Sequence, residues 1–169
     1  MTFWNDIGEN ALEPKRNYRF KLRDGESTGW WWAKTVDKPS FEVSTSEYQL
    51  INHKFKFPGI TTWKPITITA ADIGDVSNLL IDELRVFGYR NPNDDEGMVG
   101  LEKVLDNGSI ANNMSIEQLD ADGNTIETWT LRGAFITSVS FSKLDYSNDD
   151  ITEITIEVAY DYADFDSEV

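Results

Sequence analysis

Ile151-Thr152-Glu153-Ile154-Thr155-Ile156-Glu157-Val158-Ala159-Tyr160-Asp161-Tyr162 carries the plainest pattern in the chain. Successive side chains of a strand point to opposite sides. Ile154, Ile156, Val158, Tyr160 and Tyr162 therefore share one face, and Glu153, Thr155, Glu157 and Asp161 share the other. The first face suits a core. The second is either plain solvent surface or the lining of a wet channel.

The same alternation recurs upstream. Tyr18, Phe20 and Leu22 stand against Arg19, Lys21 and Arg23, and Phe41, Val43 and Thr45 alternate through 41–47. In 63–69, Lys64, Ile66 and Ile68 lie opposite Trp63, Thr67 and Thr69. Further strands are predicted at about 113–120, 124–132 and 134–142, with 151–162 the last. After Asp72 the period changes: Ile73, Val76, Leu80, Leu84 and Phe87 recur at helical spacing. This predicts one helix over about 73–87, with Asp72 or Asp75 capping its start, Gly88 closing its end, and Asp82, Glu83 and Arg85 on its polar side. Residues 91–109 read as a polar loop insertion with one short helix ending near Gly108. Many strands and one helix make a mainly β domain, an antiparallel barrel or sandwich with a flanking helix, spanning 1–169.

The 169 residues suit a single domain, which at this size buries roughly two-thirds of its unfolded surface and needs neither disulfide nor metal. With no cysteine, the chain has no disulfide framework, thiolate zinc site or thiol nucleophile. Its longest apolar runs, such as Leu79-Leu80-Ile81, fall far short of the roughly 20 residues that cross a bilayer. The start shows no basic-then-apolar leader. The expectation is a soluble chain, unsecreted by its own signals and without a membrane anchor.

The net charge is −15, and its distribution is uneven. Residues 1–90 carry 12 basic and 12 acidic side chains, whereas 91–169 carry 3 basic and 18 acidic, so the whole excess lies in the second part. Such a surface repels phosphate and argues against tight nucleic-acid binding, though not against DNA held at a distance. Six Trp, six Tyr and nine Phe are too much apolar mass for a disordered acidic chain.

Catalytic patterns are sparse. The one histidine, His53, sits in a basic and aromatic stretch, and no serine elbow, HExxH, phosphate loop or dinucleotide fingerprint occurs. Carboxylate pairs such as Asp149-Asp150 arise by chance in so acidic a chain. A hydrolase reading would rest on Asp149 or Glu157. Asp120-Ala121-Asp122-Gly123-Asn124 opens like a calcium loop, but position 131 is Leu where a bidentate Glu belongs, so it reads as a hairpin turn. Trp30-Trp31-Trp32 is either a carbohydrate platform or an interface and core element, with at least one Trp outside the core.

Two stretches resemble the tail tube protein of contractile-tailed, T4-like bacteriophages. The first is Ile51-Asn52-His53-Lys54-Phe55-Lys56-Phe57-Pro58-Gly59-Ile60-Thr61-Thr62-Trp63-Lys64-Pro65-Ile66-Thr67-Ile68-Thr69, followed by the helix. It is similar to that family's basic hairpin, glycine turn and Trp-containing strand. The second runs from Gly133-Ala134-Phe135-Ile136-Thr137-Ser138-Val139 through Leu144-Asp145-Tyr146-Ser147-Asn148 to 151–162, similar to the closing strands around an acidic aromatic turn. The Trp30–Trp32 run and loop 91–97 have no counterpart in that pattern.

The resemblance implies a structural protein without catalysis, cofactor or metal, whose protomers form hexameric rings stacked into a hollow tube inside a contractile sheath. DNA would pass through it without specific binding. Its partners would be further copies of itself, the sheath, a baseplate tube initiator, a tape measure protein and a tail terminator. It would assemble in the host cytoplasm and reside in the virion. A loop at about 46–62 would reach the neighbouring ring, with Asn52, His53, Lys54, Phe55, Lys56 and Phe57 as contacts, Lys54 and Lys56 meeting acidic groups there. Glu153, Glu157 and Asp161 would face the lumen or the sheath. Alternatives are the tube of another contractile injection system, a baseplate tube initiator and, more distantly, a carbohydrate-binding β-sandwich.

Overall fold

The computed structural model describes residues 14–24, 30–90, 92, 100–101, 103 and 114–167. The order is β1 (Phe20–Asp24), β2 (Ala33–Val36), β3 (Ser40–Leu50), β4 (His53–Lys64), β5 (Ile66–Ala71), α1 (Val76–Val86), β6 (Met114–Leu119), β7 (Thr125–Arg132), β8 (Phe135–Phe141), β9 (Glu153–Ala159) and β10 (Tyr162–Ser167). Two antiparallel four-stranded sheets result: β1-β6-β7-β10, here called the first sheet, and β2-β5-β9-β8, the second. Strands β3 and β4 pair only with each other. The barrel-or-sandwich alternative resolves as a sandwich among the described residues, because no ladder joins the two sheets.

Period-two patterning explains the core. Leu22, Met114, Ile116 and Leu131 of the first sheet meet Ile66, Ile68, Ile154, Ile156 and Val158 of the second in one cluster. Trp30 is buried and stacks on half-buried Trp32 with ring centroids 4.5 Å apart, while Trp31 is exposed. The run lies in the turn before β2, closed by the Ala33 N–H donating to Trp30 O at 3.1 Å, and it presents one indole to solvent and forms no three-ring platform.

The expected strand over 151–162 is two. Backbone pairing with β5 ends at Val158 and with β8 at Ala159, and, after Tyr160, the Asp161 N–H donates to Arg132 O in the first sheet at 3.0 Å, just before β10 begins. Tyr160 stays buried but Tyr162 is exposed, against the single apolar face expected. The expected strand over 63–69 is likewise broken, at Pro65, which has no N–H to give to a ladder.

Helix α1 begins at Val76, not 73. Asp75 occupies the N-cap position but its side chain caps no backbone N–H, and Asp72 accepts instead from Ser77 Oγ at 3.1 Å. The inward stripe is Val76, Leu80, Glu83 and Phe87, so Glu83 is buried where a polar face was expected, while Ile73 is exposed and Leu84 half-buried. Val76 and Leu80 join the core, and Phe87 packs edge-on against Phe135 of β8 at 6.4 Å.

The C-terminus of α1 closes as a Schellman motif. Tyr89 N–H donates to Leu84 O at 3.3 Å and Gly88 N–H to Arg85 O at 2.9 Å, with Gly88 at φ +98°. A Cβ on Gly88 would also lie 3.1 Å from Gly100 O. Gly88→Ala is expected to cost about 1–2 kcal/mol, read as a lower denaturant midpoint at unchanged slope. The short helix expected near Gly108, and most of loop 91–109, lie outside the described residues.

Candidate assembly interface

The stretch 46–62, expected as a loop, is two paired strands. The β3–β4 hairpin prolongs the edge pair of the second sheet: Val36 stands opposite Ile68 and Ser40 opposite Lys64, four residues further along each strand. The Asp37 N–H donates to Thr67 O at 3.0 Å between these pairs and keeps the ladder in register. Phe41, Trp63 and Tyr160 form a chain of ring contacts, at 5.2 and 5.8 Å, that roots the ribbon in the core. Strand β3 as a whole spans roughly 35 Å, at about 3.3 Å per residue over its 11 residues.

A bulge between Val43 and Thr45 divides the ribbon. Ser44 Oγ accepts from Ile60 N–H at 2.8 Å, and the room for Ser44 depends on Gly59, whose added Cβ would come within 2.4 Å of that oxygen. Past the bulge the register sorts side chains cleanly. Ser46, Tyr48 and Leu50 oppose Phe57, Phe55 and His53 on one face, whereas Thr45, Glu47 and Gln49 oppose Pro58, Lys56 and Lys54 on the other.

The six predicted contact residues therefore divide. His53, Phe55 and Phe57 lie on the aromatic face, Lys54 and Lys56 on the polar face, and Asn52 in the turn. His53 and Phe55 meet edge to face at 4.7 Å. Lys54 and Lys56 both approach Glu47, at 3.1 and 3.8 Å. The turn is Ile51-Asn52, with Ile51 at φ +54° and 88% exposed. A β-branched residue in the left-handed region carries strain, and at this tip it presents an aliphatic side chain to solvent. Every side chain from Ser40 to Thr62 is exposed.

The predicted acidic residues divide as well. Glu153 and Glu157 share the outward face of β9 with Thr155, flanked by Thr67 and Thr69 of β5 and Ser138 and Ser140 of β8. Lys34 of β2 bonds Glu153 at 2.6 Å. Asp161 has left this face for the connection to β10, where it pairs with Lys103 at 2.5 Å. The outward face of the first sheet is charged and paired instead, with Arg23 3.0 Å from Glu117 and Arg132 2.7 Å from Asp164.

At the end of the second sheet opposite the hairpin, residues 142–152 connect β8 to β9. Asp145 accepts from Ser147 Oγ at 2.7 Å and from its N–H at 3.0 Å, and these bonds hold its carboxyl below the usual range. Leu144, Tyr146 and Ile151 of this loop are exposed. Asp149 and Asp150 lie beside an open cleft of about 670 Å³ that Lys34 and Glu153 also border. The residues of the hydrolase reading do not converge, since Asp149 lies in this loop and Glu157 on the sheet face. The Asp120–Asn124 turn is closed by its own groups, with Asp120 Oδ1 accepting the N–H of Asp122 and of Asn124, both at 2.8 Å.

One structural site escaped the sequence reading. Glu127 is 4% exposed and is bonded by Lys15, from the segment before β1, and by Lys38, from the β2–β3 connection. Burial pushes its carboxyl up, but the lysine hydrogen bonds and charges outweigh that and leave it below the usual range. The signal was present: Glu127 has the strand parity of Trp129 and Leu131, which face inward.

Among the described residues the ribbon exposes Phe41, Tyr48, Leu50, Ile51, Phe55, Phe57 and Ile60, apolar surface of the kind that marks an interaction site. The family model of the T4-like virus tail tube protein gp19 matches residues 17–164, and the chain belongs to that family of structural tube proteins. No curated protein matches it by sequence. Among solved structures it is similar to a chain of the sheath–tube complex of an extracellular contractile injection system, PVC, in the extended state. That match has 20% identity and a TM-score of 0.70 over 99% of both chains. The tube-terminating cap of the anti-feeding prophage matches at 18% identity and TM-score 0.72, over 92% of this chain and 93% of that one. Hcp1 from Flavobacterium johnsoniae matches at 11% and 0.50, over 89% and 96%.

Proposed function

We propose that this protein is the repeating unit of a hollow tail tube, built of hexameric rings stacked head to tail within a contractile sheath, through which phage DNA passes. The observation that carries the reading is the outward face of the second sheet. Its hydroxyls, Thr67, Thr69, Thr155, Ser138 and Ser140, surround one carboxylate, Glu157, whose charge no lysine neutralises among the described residues, whereas Glu153 is neutralised by Lys34. A lumen of that composition offers phosphate no cationic group but Lys34, which Glu153 holds, and repels phosphate weakly, so DNA would slide without releasing counterions. The charged face of the first sheet suits the outer wall.

Ring closure would join edge strands of neighbouring protomers, which removes the exposed edges of both sheets. The hairpin would provide the contact between rings. A sheath–tube complex, a tube terminator and a baseplate among the matched structures support the same kinds of partner here and a place in the tail of a virion. The injection-system matches also favour a second reading, in which the same tube belongs to a contractile injection machine and carries another cargo.

The test is electron microscopy of the purified protein at rising concentration, with and without baseplates as nuclei. Hollow six-membered rings or tubes are expected. A monomer that fails to polymerise on baseplates would overturn the reading. Glu157→Gln should leave tubes intact and slow DNA ejection, whereas unchanged ejection would remove Glu157 from the lumen.

A further inference from the structure

The hairpin and the β8–β9 connection leave the second sheet at opposite ends. Strand β5 runs from Ile66, opposite Val158, to Ala71, opposite Glu153. The hairpin enters at the Ile66 end through Lys64 and Pro65. Residues 142–152 cross at the other end, where Phe141 stands opposite Ile154 and the Asp72 N–H donates to Thr152 O at 2.9 Å. In a head-to-tail stack, whatever projects from one end of a ring meets the opposite end of the next.

The two projections are complementary in chemistry. Residues 40–64 carry Lys54, Lys56 and Lys64 against Glu42 and Glu47, a basic excess in a chain of net charge −15, and the ammonium groups of Lys54 and Lys56 share the single carboxylate of Glu47. Residues 142–152 carry Asp145, Asp149 and Asp150 against Lys143 alone. Lys143 lies 3.6 Å from Asp145, and the carboxylates of Asp149 and Asp150 hold no ion pair among the described residues. Both projections also expose apolar side chains, Tyr48, Leu50, Phe55 and Phe57 on one and Leu144, Tyr146 and Ile151 on the other.

Resting on the reading of the hairpin as the inter-ring contact, we propose that its receptor is the β8–β9 connection of a second copy of this chain in the adjoining ring. The aromatic face of the ribbon covers Leu144, Tyr146 and Ile151. Lys54 and Lys56, charged tips on flexible four-carbon stems, reach past the ribbon edge to Asp149 and Asp150. The apolar contact supplies the adhesion, and the charges fix which end of a ring accepts which. The interface is heterologous, so it propagates without closing, as a tube requires.

Two charge-reversed proteins test this. One carries Lys54→Glu with Lys56→Glu, the other Asp149→Lys with Asp150→Lys. Each alone, with baseplate nuclei supplied, should pellet at least ~10-fold less tube than the wild type, since like charges then face each other. Mixed, they should stack again, because each reversed hairpin meets a reversed loop and each native hairpin a native one. All four positions are exposed, and a misfolded protein would not be rescued by mixing. If the hairpin variant fails alone and the mixture also fails, or if the loop variant stacks like the wild type, the receptor lies elsewhere and this inference falls while the hairpin contact stands. If the hairpin variant stacks normally, the inter-ring reading falls with it.

Discussion

A protein in which residues 45–59 are replaced by an Asn-Gly turn is expected to fold and to stop growing tubes. The excised residues touch solvent on both faces, so the sandwich loses no core, and its melting temperature should shift by no more than a few degrees. Assembly should change far more. Tyr48, Leu50, Phe55 and Phe57 are each about half exposed in the isolated chain. Burying what remains of each is worth about 1 kcal/mol, so about 4 kcal/mol per protomer is lost. That is on the order of a thousandfold in the dissociation constant of one contact. Sedimentation should show rings or smaller species in place of tubes. Tubes of ordinary length from this variant would show that the hairpin does not join rings.

Glu127→Ala is expected to cost about 2 kcal/mol at neutral pH. Removing one partner of a fully buried ion pair costs roughly 3–5 kcal/mol. Here Lys15 and Lys38 are both close to half exposed and can return to water, which lowers the penalty. What is lost is the tie that fastens the segment before β1 and the β2–β3 connection to the first sheet. Lys15→Ala and Lys38→Ala should each cost less, since Glu127 keeps the other lysine.

The pH dependence has a definite sign. A carboxyl held below its ordinary range contributes stability that is complete above the unfolded-state value, about 4.3 for Glu. That contribution disappears as the pH falls through this value and on to the lower folded-state one. The wild type and Glu127→Ala should therefore differ most at neutral pH and converge in acid. Urea titrations at pH 7, 5 and 3 would measure this. A constant difference across them would show that Glu127 acts by packing and not by charge.

The β content and most strand positions were legible because alternation is a local property, and β9 shows it best, with Ile154, Ile156 and Val158 inward and Thr155 outward. Tyr160-Asp161-Tyr162 hid the break after β9. Alternation continues through it, and only pairing with Arg132 of the other sheet ends the strand. The hairpin shows a further limit. Phe55 and Phe57 alternate with Lys54 and Lys56 as core residues would, yet both are exposed, because alternation sorts side chains onto two faces and does not say whether either face is buried. Asp161 was grouped with Glu153 and Glu157 by parity alone, which fails wherever the chain changes sheets.

The unbroken register from β2 into β3, and from β4 into β5, also has a mechanical meaning. A hairpin gripped at its tip pulls along its own strands, so the load enters the second sheet in shear, spread over many backbone hydrogen bonds at once. Were the ribbon set across the sheet, the same force would peel those bonds one by one. Contraction of a sheath delivers its thrust along the tube axis. With the hairpin as the proposed contact between rings, a ribbon in register with the second sheet would make each joint a lap joint, strongest in the direction in which the tube would be driven.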